Sequence, residues 1–575
     1  MLPKSLEDDL AGPTGQLPEV TISSQTEIGQ TEESVKVPNQ RAYTGRKPVI
    51  SSSLADTPCS SLGIQGLLDL LNATLRTSYT LDISLSSALK DCIAKNYDFG
   101  TAYGRLRSAW YKQHRSIIQI ELWKREAEDI NRRRNALDGS RIVDRRPKPR
   151  RVWDLCSNRV VPWWSHRETE GWAETEQLQP ISHAWVDEKD RVDMWTPING
   201  YEWPVPIPKG AKLDLIRIEM LNLGVEYTWL DVLCLRQRGG PREDLRVEEW
   251  KLDVPTIGAI YQFQWHVVCY FSGLGLPLSL KEGDLESDRC WFRRVWTAQE
   301  VGLQRMIQAG DTPDGPMHAK PKDHAGNYKD EILTRFHKQL RSKYYSDGPS
   351  ATRPYDVLSM MQDRISTNPV DRVAGLAFLL QTHSIPAYYE SQSLEDAWTA
   401  LIQEMPPNYC GQLFFTYLEP GTACKKWRPS WEQVMTKSLP NGSDCYAHIE
   451  MGDDNWWEGS HIERGFVRGL AVGGAEGINR CGELVVEDAN RMAHAFNIIA
   501  SHQYLIPEDT YTLLGNKPVW KEGRKVNSAL QYWVVGRRLP SKMFEKVSVF
   551  KMTDSNEIKQ LEELGLSIKS RSILA

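Results

Sequence analysis

The sequence lacks the features that would mark a membrane or exported protein. No stretch of consecutive apolar residues approaches the roughly 18 that a bilayer-spanning helix needs, and apolar runs such as 267–271 have the length of a strand. The first residues, MLPKSLEDDLAGPTG, contain no apolar central segment of a secretory signal, and their acidic side chains disfavour a transit peptide. We therefore expect a cytoplasmic protein without a membrane span.

Paired cysteines and metal-binding spacings are also missing. The 10 cysteines are scattered without a CxxC pair, and the 12 histidines include no HExxH arrangement. This spacing argues against a disulfide framework and against a zinc ribbon, and we expect no metal site. The 575-residue chain also has no large excess of either charge, since 70 Lys and Arg nearly balance 75 Asp and Glu. A protein that binds polyanions along its whole surface is therefore disfavoured.

One segment departs from this balance. Between Arg105 and Arg151 there are 15 Lys or Arg against 6 Asp or Glu, including the triplet Arg132–Arg134 and the run RRPKPRR. Such a segment could bind nucleic acid through its phosphates. It could equally be a solvated helix face followed by a proline-broken linker. Because no aromatic residues are interleaved as in a single-strand binding site, the second interpretation is favoured and a nucleic-acid partner is not expected.

Composition and periodicity divide the chain into four parts. Residues 1–60 are rich in Ser, Thr, Pro, Glu and Gln and predict a disordered tail. Residues 61–150 predict helices and a basic linker, because leucines recur there at helical spacing, as at positions 67, 68, 71 and 75. Residues 151–385 alternate short apolar runs with helical stretches. Residues 386–575 predict a mixed, β-rich region, in which β-structure is favoured beyond about Trp427, as in 466–472.

The alternation within 151–385 predicts an α/β domain with a mainly parallel sheet. The predicted strands are 178–185, 227–235, 266–271 and 305–309, and the predicted helices are 209–223, 253–264 and 288–303. In such a sheet, ligands bind outside the carboxyl ends of the strands. The polar or aromatic side chains expected at those ends are Ser182, His183, Trp185, Asp231, Cys234 and Gln237.

The last predicted helix adds Arg293, Trp296 and Glu300 to this candidate site. Glu300 lies at the margin of an apolar stripe that contains Trp296, where partial burial would raise the proton affinity of a carboxylate. The residue types alone leave other interpretations open: Glu300 could be a solvated surface residue, His183 a core imidazole and the tryptophans core side chains. A Ser–His–Asp triad is disfavoured because there is no GxSxG elbow.

Read in order, these segments resemble the fungal heterokaryon incompatibility (HET) domain. The resemblance rests on Ile181-Ser-His-Ala-Trp185, on Trp229-Leu-Asp-Val-Leu-Cys-Leu-Arg-Gln237 and on the Trp291–Glu300 block, which matches Trp-Phe-x-Arg-x-Trp-x-x-Gln-Glu at every fixed position. Ile260-Tyr261, Asn368–Val373 and Pro429–Trp431 add weaker matches, and the resemblance covers about 180–380. Two positions depart from the family pattern: Val186 replaces a glycine, and Arg236 replaces the asparagine of a Cys-Ile-Asn-Gln motif.

The resemblance implies a flavodoxin-like core, because HET domains are considered distant relatives of TIR domains. Several TIR domains hydrolyse NAD with a catalytic glutamate on a helix, which implies Glu300 as the catalytic residue here and NAD as substrate, with no resident cofactor. Ser182, His183, Trp185, Asp231, Arg236, Arg293 and Trp296 would then contact the dinucleotide.

The resemblance also implies an effector of fungal non-self recognition and programmed cell death. Its protein partner is not identified by the sequence. Two alternatives to the enzyme remain: a non-catalytic signalling module that works by self-association, and a nucleic-acid-binding protein that uses the basic 105–151 segment.

Overall fold

The computed structural model describes residues 48–111, 118–166, 178–262, 266–300, 305–308, 323–345, 353–440, 445, 447, 449, 455–521 and 528–575. The chain divides into two compact units. The described residues of the first unit lie within Met1–Ser346 and Ala387–Tyr389, and those of the second within Asp347–Pro386 and Glu390–Ala575. Among the described residues, no helix combines the length and the apolar character that crossing a membrane requires.

The first unit begins with a group of helices. They are α1 (Ser52–Ala55), α2 (Cys59–Leu75), α3 (Ile83–Ala94), α4 (Phe99–Leu106) and α5 (Ile118–Ala136). The periodic leucines of α2 are buried, as the sequence predicts. Aspartates begin α3 and α4, where the side chains of Asp82 and Asp98 accept hydrogen bonds from Leu85 N and Thr101 N at 2.8 Å.

Residues 48–60, which were included in the predicted disordered tail, are ordered. Residues 1–47 lie outside the described part of the chain, whereas Val49 and Ile50 are buried. The amide of Ile50 donates to the carbonyl of Cys156 at 3.0 Å, and the buried guanidinium of Arg217 donates to the carbonyl of Ile50 at 2.7 Å. Burial of Val49 and Ile50 and these two hydrogen bonds offset the entropy lost when the segment is ordered. The composition of residues 1–60 does not reveal these contacts.

A six-stranded mixed sheet forms the centre of the first unit. Its strands are β3 (Arg151–Asp154), β4 (Arg159–Pro162), β5 (Leu178–His183), β8 (Tyr227–Trp229), β9 (His266–Tyr270) and β10 (Arg305–Gln308). Their order is β10-β9-β5-β8-β3-β4. The first four strands of that order run parallel, whereas β3 pairs antiparallel with both β8 and β4. The predicted parallel core is therefore extended by an antiparallel edge.

Smaller strands and helices surround this sheet. The strands are β1 (Leu137–Asp138), β2 (Arg141–Ile142), β6 (Arg191–Met194) and β7 (Val205–Pro208). The helices are α6 (Leu213–Asn222), α7 (Asp231–Cys234), α8 (Glu243–Asp253), α9 (Ile257–Gln262), α10 (Thr297–Glu300) and α11 (Glu331–Tyr345). The pairs β1–β2 and β6–β7 are antiparallel hairpins.

Two predicted elements are shorter than their apolar patterns suggested. The strand predicted over 227–235 ends at Trp229, and the chain then turns into α7, where the amide of Cys234 donates to the carbonyl of Leu230 at 2.8 Å. Continuous apolar character marks burial and does not distinguish a strand from a short buried helix. The helix predicted over 288–303 is interrupted by extended backbone at Arg294, with a 3₁₀ turn before it and α10 after it.

The second unit contains helices and a large antiparallel sheet. The helices are α12 (Pro354–Gln362), α13 (Asp371–Ala374), α14 (Leu394–Glu404), α15 (Pro407–Thr416), α16 (Trp431–Thr436) and α17 (Ser555–Glu563). The strands are β11 (Ile385–Pro386), β12 (Trp456–Arg468), β13 (Arg480–Glu487), β14 (Ala493–Ala500), β15 (Asp509–Gly515), β16 (Val519–Lys521), β17 (Ser528–Arg538), β18 (Phe544–Met552) and β19 (Ile568–Ile573).

The large sheet closes on itself. Its order is β13-β14-β18-β17-β15-β12-β19, and β12 also pairs with β13, so six strands form a closed ring with β19 added beside β12. The interior is apolar and contains Leu484, Phe496 and Trp533, together with Ile558 and Leu561 from α17. The β-structure predicted beyond about Trp427 is therefore confirmed from Trp456 onward, whereas 394–436 contains the helices α14, α15 and α16. The protein is a mixed α/β protein with a β-rich C-terminal region.

Candidate functional site

The candidate site forms where β5 ends. Ser182 and His183 are the last two residues of β5, which lies between β8 and β9 in the sheet. Asp231 follows β8 by two residues, and Glu300 is the last residue of α10. Ser182, His183 and Glu300 are all buried, and Asp231 is partly exposed. Parallel strands present their carboxyl ends at one edge of a sheet, and these side chains meet at that edge.

A buried hydrogen-bonded chain joins Ser182 to Glu300. The hydroxyl of Ser182 donates to Oε2 of Glu300 at 2.5 Å, and the same hydroxyl oxygen accepts from Nε1 of Trp291 at 2.8 Å. Ser182 is 1% exposed and Glu300 is 9% exposed. The Ser182 hydroxyl donates to the carboxylate and the Trp291 indole donates to that hydroxyl, and both groups are buried. The Glu300 carboxylate is therefore held in one orientation.

His183 and Asp231 form a second pair beside the first. Nε2 of His183 lies 2.8 Å from Oδ1 of Asp231, and Nδ1 faces the carbonyl of Ala184 at 3.3 Å. Burial alone would lower the pKa of His183, but the carboxylates of Asp231 and Glu300 outweigh it and raise this pKa above its usual value. The pair therefore holds a protonated imidazole more readily than an isolated histidine does.

Asp231 is held ionised by several donors. Burial would raise its pKa, but the charge and hydrogen bond of His183 outweigh this effect, and the amide of Val232 and the indole of Trp185 contribute in the same direction. The result is a lowered pKa. Val232 N lies 2.7 Å from Oδ1, and Nε1 of Trp185 lies 3.2 Å from Oδ2. The site thus contains two carboxylates and one imidazole in a largely dry environment.

Aromatic residues surround these charges. The ring of Trp185 is half-buried and stacks on His183 with centroids 5.7 Å apart. The hydroxyl of Tyr261, on α9, donates to the carbonyl of Ile181 at 2.8 Å and thereby ties that helix to β5. Trp296 is also half-buried, but the contacts described for its ring do not include Ser182, His183, Asp231 or Glu300. The partly exposed indole of Trp185 therefore offers the face on which a planar ring could stack.

The remaining predicted site residues are placed differently. Arg236 is 4% exposed, and its Nη2 donates to Oε2 of Glu202 at 2.6 Å over the ring of Trp203. Arg293 donates to the carbonyl of Glu286 and lies 3.6 Å from Asp288. The contacts described for these two arginines do not include Ser182, His183, Asp231 or Glu300. Both guanidiniums already have anionic or carbonyl partners within the fold.

The structure also separates Ser182 from His183 as chemical partners. Ser182 donates to Glu300 and His183 contacts Asp231, so the three residue types of a hydrolase triad are present without a serine–histidine hydrogen bond. Trp291 belongs to this site through its hydrogen bond to Ser182, although the sequence indicates it only as the first residue of the Trp291–Glu300 block. The spacing of residues around Glu300 could not reveal that contact, since Ser182 is 109 residues away from Trp291.

The basic segment is largely compensated by acidic partners. Arg150 donates to Asp253 at 2.6 Å and Arg151 to Glu249 at 2.6 Å. Arg133, the middle residue of the triplet, donates to Asp129 at 2.9 Å. Arginines engaged in this way contribute to holding α5 and α8 in place and are less able to meet phosphates.

Within the part of the chain that the structure describes, no cluster of three or more His, Cys, Asp or Glu side chains is arranged to bind a metal ion. Comparison with known proteins adds no relative: no protein-family model, no curated protein and no solved structure matches this chain.

Proposed function

We propose that residues 151–385 form a HET-type domain of the flavodoxin-like class that hydrolyses NAD, and that the protein acts as an effector of fungal non-self recognition and programmed cell death. The observation that carries the proposal is the buried Glu300 carboxylate, held by Ser182 at the carboxyl edge of the parallel strands. Numbered by their order in the chain, these parallel strands follow the spatial order 2-1-3-4, which doubly wound sheets with a ligand crevice beside strand 1 share.

The reaction suits one fixed carboxylate. Cleavage of the bond between nicotinamide and ribose develops positive charge on the sugar, and a nearby carboxylate stabilises that charge. Water adds to the anomeric carbon, neutral nicotinamide leaves with the bonding electron pair, and one proton is released with ADP-ribose. Glu300 is the catalytic residue in this scheme. Ser182 is a positioning residue, because its hydroxyl orients the carboxylate.

The neighbouring pair has a separate role. Trp185, which donates to Asp231 and stacks on His183, would offer its exposed part to the nicotinamide ring. Protonated His183 places a positive charge near the Glu300 carboxylate, which together with Asp231 raises the pKa of that histidine. Asp231 in turn keeps His183 protonated and oriented.

The test is release of nicotinamide from NAD by the purified full-length chain, measured alone and after forced clustering. Glu300→Gln should abolish release while the fold is retained, since the amide oxygen still accepts from Ser182. The matched control is Glu404→Gln in the second unit, where Glu404 is also buried and accepts from a serine, Ser384. This control should release nicotinamide at the wild-type rate.

Two outcomes would overturn the proposal. Wild-type protein that releases no nicotinamide under either condition refutes NAD hydrolysis. Cell killing that survives Glu300→Gln refutes a catalytic effector and supports a self-associating module. Ser182→Ala gives a further check, because loss of the hydroxyl that orients the Glu300 carboxylate should lower kcat and leave KM unchanged, a split that a purely structural defect would not cause.

A further inference from the structure

A serine, a histidine and a glutamate are linked in series in the second unit, separate from the site described above. The hydroxyl of Ser570, on β19, lies 2.7 Å from Nδ1 of His461, on β12. The other ring nitrogen of His461, Nε2, lies 2.7 Å from Oε2 of Glu463. A nucleophile, a base and an acid that orients the base are the three parts of an activated serine.

Strand register brings these side chains together. In the antiparallel pair of β12 and β19, Gly459 is opposite Ser570 and His461 is opposite Ile568. Side chains two residues apart on a strand share a face, so His461 and Ser570 are diagonal neighbours there. Glu463 follows His461 by two residues, at the point where the pairing of β12 with β15 shifts register.

The protonation state of His461 suits a general base. Burial lowers the pKa of this histidine, and Arg538 adds to that effect, while Glu463 opposes it without reversing it. A neutral imidazole at pH 7 carries one proton. Placing that proton on Nε2, toward Glu463, leaves the lone pair of Nδ1 to accept the hydroxyl proton of Ser570.

Arg538, on β17, is the remaining charged group at this cluster. Its Nη2 lies 3.3 Å from Nε2 of His461 and donates to Ser572 at 3.0 Å, and its Nε lies 3.7 Å from Glu463. The guanidinium therefore holds the Glu463 carboxylate beside the ring and disfavours a second proton on His461.

The backbone of β19 adds a donor beside Ser570. Leu574 N donates to Asn455 O at 2.8 Å, which makes that pair a hydrogen-bonded one. In an antiparallel ladder, hydrogen-bonded pairs alternate with non-hydrogen-bonded pairs. Counting back from Leu574, Arg571 and Glu458 form a non-hydrogen-bonded pair, so the amide of Arg571 points away from β12. Among the described residues, Ile568–Ile573 pair with β12 alone. An outward amide directly after a serine is a donor of the kind that stabilises an oxyanion.

We propose that Ser570, His461 and Glu463 form an esterase-type site that accepts small carboxylic esters. Ser570 Oγ attacks the ester carbonyl carbon while its proton moves to Nδ1 of His461. The bond to the alcohol oxygen then breaks, and His461 returns the proton to the departing alcohol. Water hydrolyses the acyl-serine by the same proton route, releasing a carboxylic acid. Ile568, 59% exposed on the face that Ser570 shares, favours a short apolar acyl group.

The experiment uses the full-length chain and a fluorophosphonate probe, with the labelled peptide identified by mass spectrometry and the hydrolysis of p-nitrophenyl acetate followed in parallel. We expect labelling at Ser570 in the wild type and none in Ser570→Ala. Glu463→Gln should reduce both labelling and hydrolysis at least tenfold. Because the Glu463 side chain is 57% exposed, this variant retains the fold even where a His461 variant does not.

Two controls separate this site from other serines and from the NAD site. Ser541→Ala removes an exposed serine of the same unit and should leave labelling of Ser570 unchanged. Glu300→Gln should also leave it unchanged. A wild-type Ser570 that does not react with the probe overturns the proposal, and so does labelling that is insensitive to Glu463→Gln, because the serine would then react without the histidine and glutamate.

Discussion

Replacing Asp231 with asparagine should destabilise the end of β5 in a manner that depends on pH. In the wild type, Nε2 of His183 lies 2.8 Å from the Asp231 carboxylate, and the His183 side chain is almost completely buried. Asparagine keeps an acceptor for a neutral imidazole but removes the negative charge that supports the protonated one. Removing one member of a buried charge pair costs about 3–5 kcal/mol. Because asparagine retains the neutral hydrogen bond, we expect Asp231→Asn to lower the free energy of unfolding by about 2 kcal/mol near pH 5.5.

The pH window follows from the directions of the two pKa shifts. The pKa of His183 is raised, so its contribution is complete below its usual value of 6.5 and is lost as pH rises through the higher folded value. The pKa of Asp231 is lowered, so its contribution is present above 3.8 and is lost as pH falls through the lower folded value. The cost of Asp231→Asn should therefore be largest between about pH 4 and 6.5 and should shrink toward pH 9.

Hydrogen exchange of the amides of β5 measures this difference in the full-length chain. Wild type and variant are compared at the same pH, so that intrinsic exchange rates cancel, and about 2 kcal/mol corresponds to roughly 30-fold faster exchange. The control is Asp488→Asn, which removes the negative charge that faces His494 in the second unit and should leave β5 unchanged. An Asp231→Asn effect that is equal at pH 5.5 and pH 9 would refute the assigned protonation of His183.

Two further substitutions test charges buried elsewhere. Lys546→Met should raise the free energy of unfolding of the second unit by about 1–2 kcal/mol at pH 7. Burial holds the pKa of Lys546 well below its usual value, and its Nζ donates to an uncharged partner, the carbonyl of Phe414. In the wild type, the unfolded state binds more protons at Lys546 than the folded state does. The stabilisation by Lys546→Met, measured by urea unfolding, should therefore diminish as pH approaches 10.5. A stabilisation that grows with pH would contradict this account. Arg236→Ala should lower the free energy of unfolding of the first unit by about 3 kcal/mol, because it removes a cation from Glu249 and uncovers the ring of Trp203. The loss is measured as a lower unfolding midpoint. An unchanged midpoint would show that the ion pair contributes nothing.

The coarse fold was predictable because its signals are local. Leucines at helical spacing in 67–75 and apolar runs in 266–270 each identify an element from a few neighbouring residues. The ends of elements were less predictable. The change from strand to helix after Trp229 depends on backbone hydrogen bonds within a uniformly apolar segment, and the break at Arg294 interrupts a pattern that reads as one amphipathic helix.

For the candidate site, the sequence predicted several of the residues that lie there but not which of them contact each other. Strand ends identified Ser182, His183 and Asp231, since parallel topology requires those ends to share an edge. The partners of these side chains did not follow from the sequence. Ser182 could have faced His183, its chain neighbour, but successive residues of a strand point to opposite faces, and the hydroxyl meets Glu300 instead, 118 residues away.

Amino-acid order alone determined the alternation of helices and strands in the first unit, the β-rich character of the second and the residue types available at the strand ends, because each depends on periodicity within about ten residues. Tertiary structure decided which charges are compensated and which polar groups face each other. Arg236 is engaged by Glu202, and Ser570 meets His461 across 109 residues of chain. Long-range contacts of this kind depend on strand register and burial in the folded chain. They could not be predicted from the sequence, because no local pattern of residues indicates which distant residues will meet.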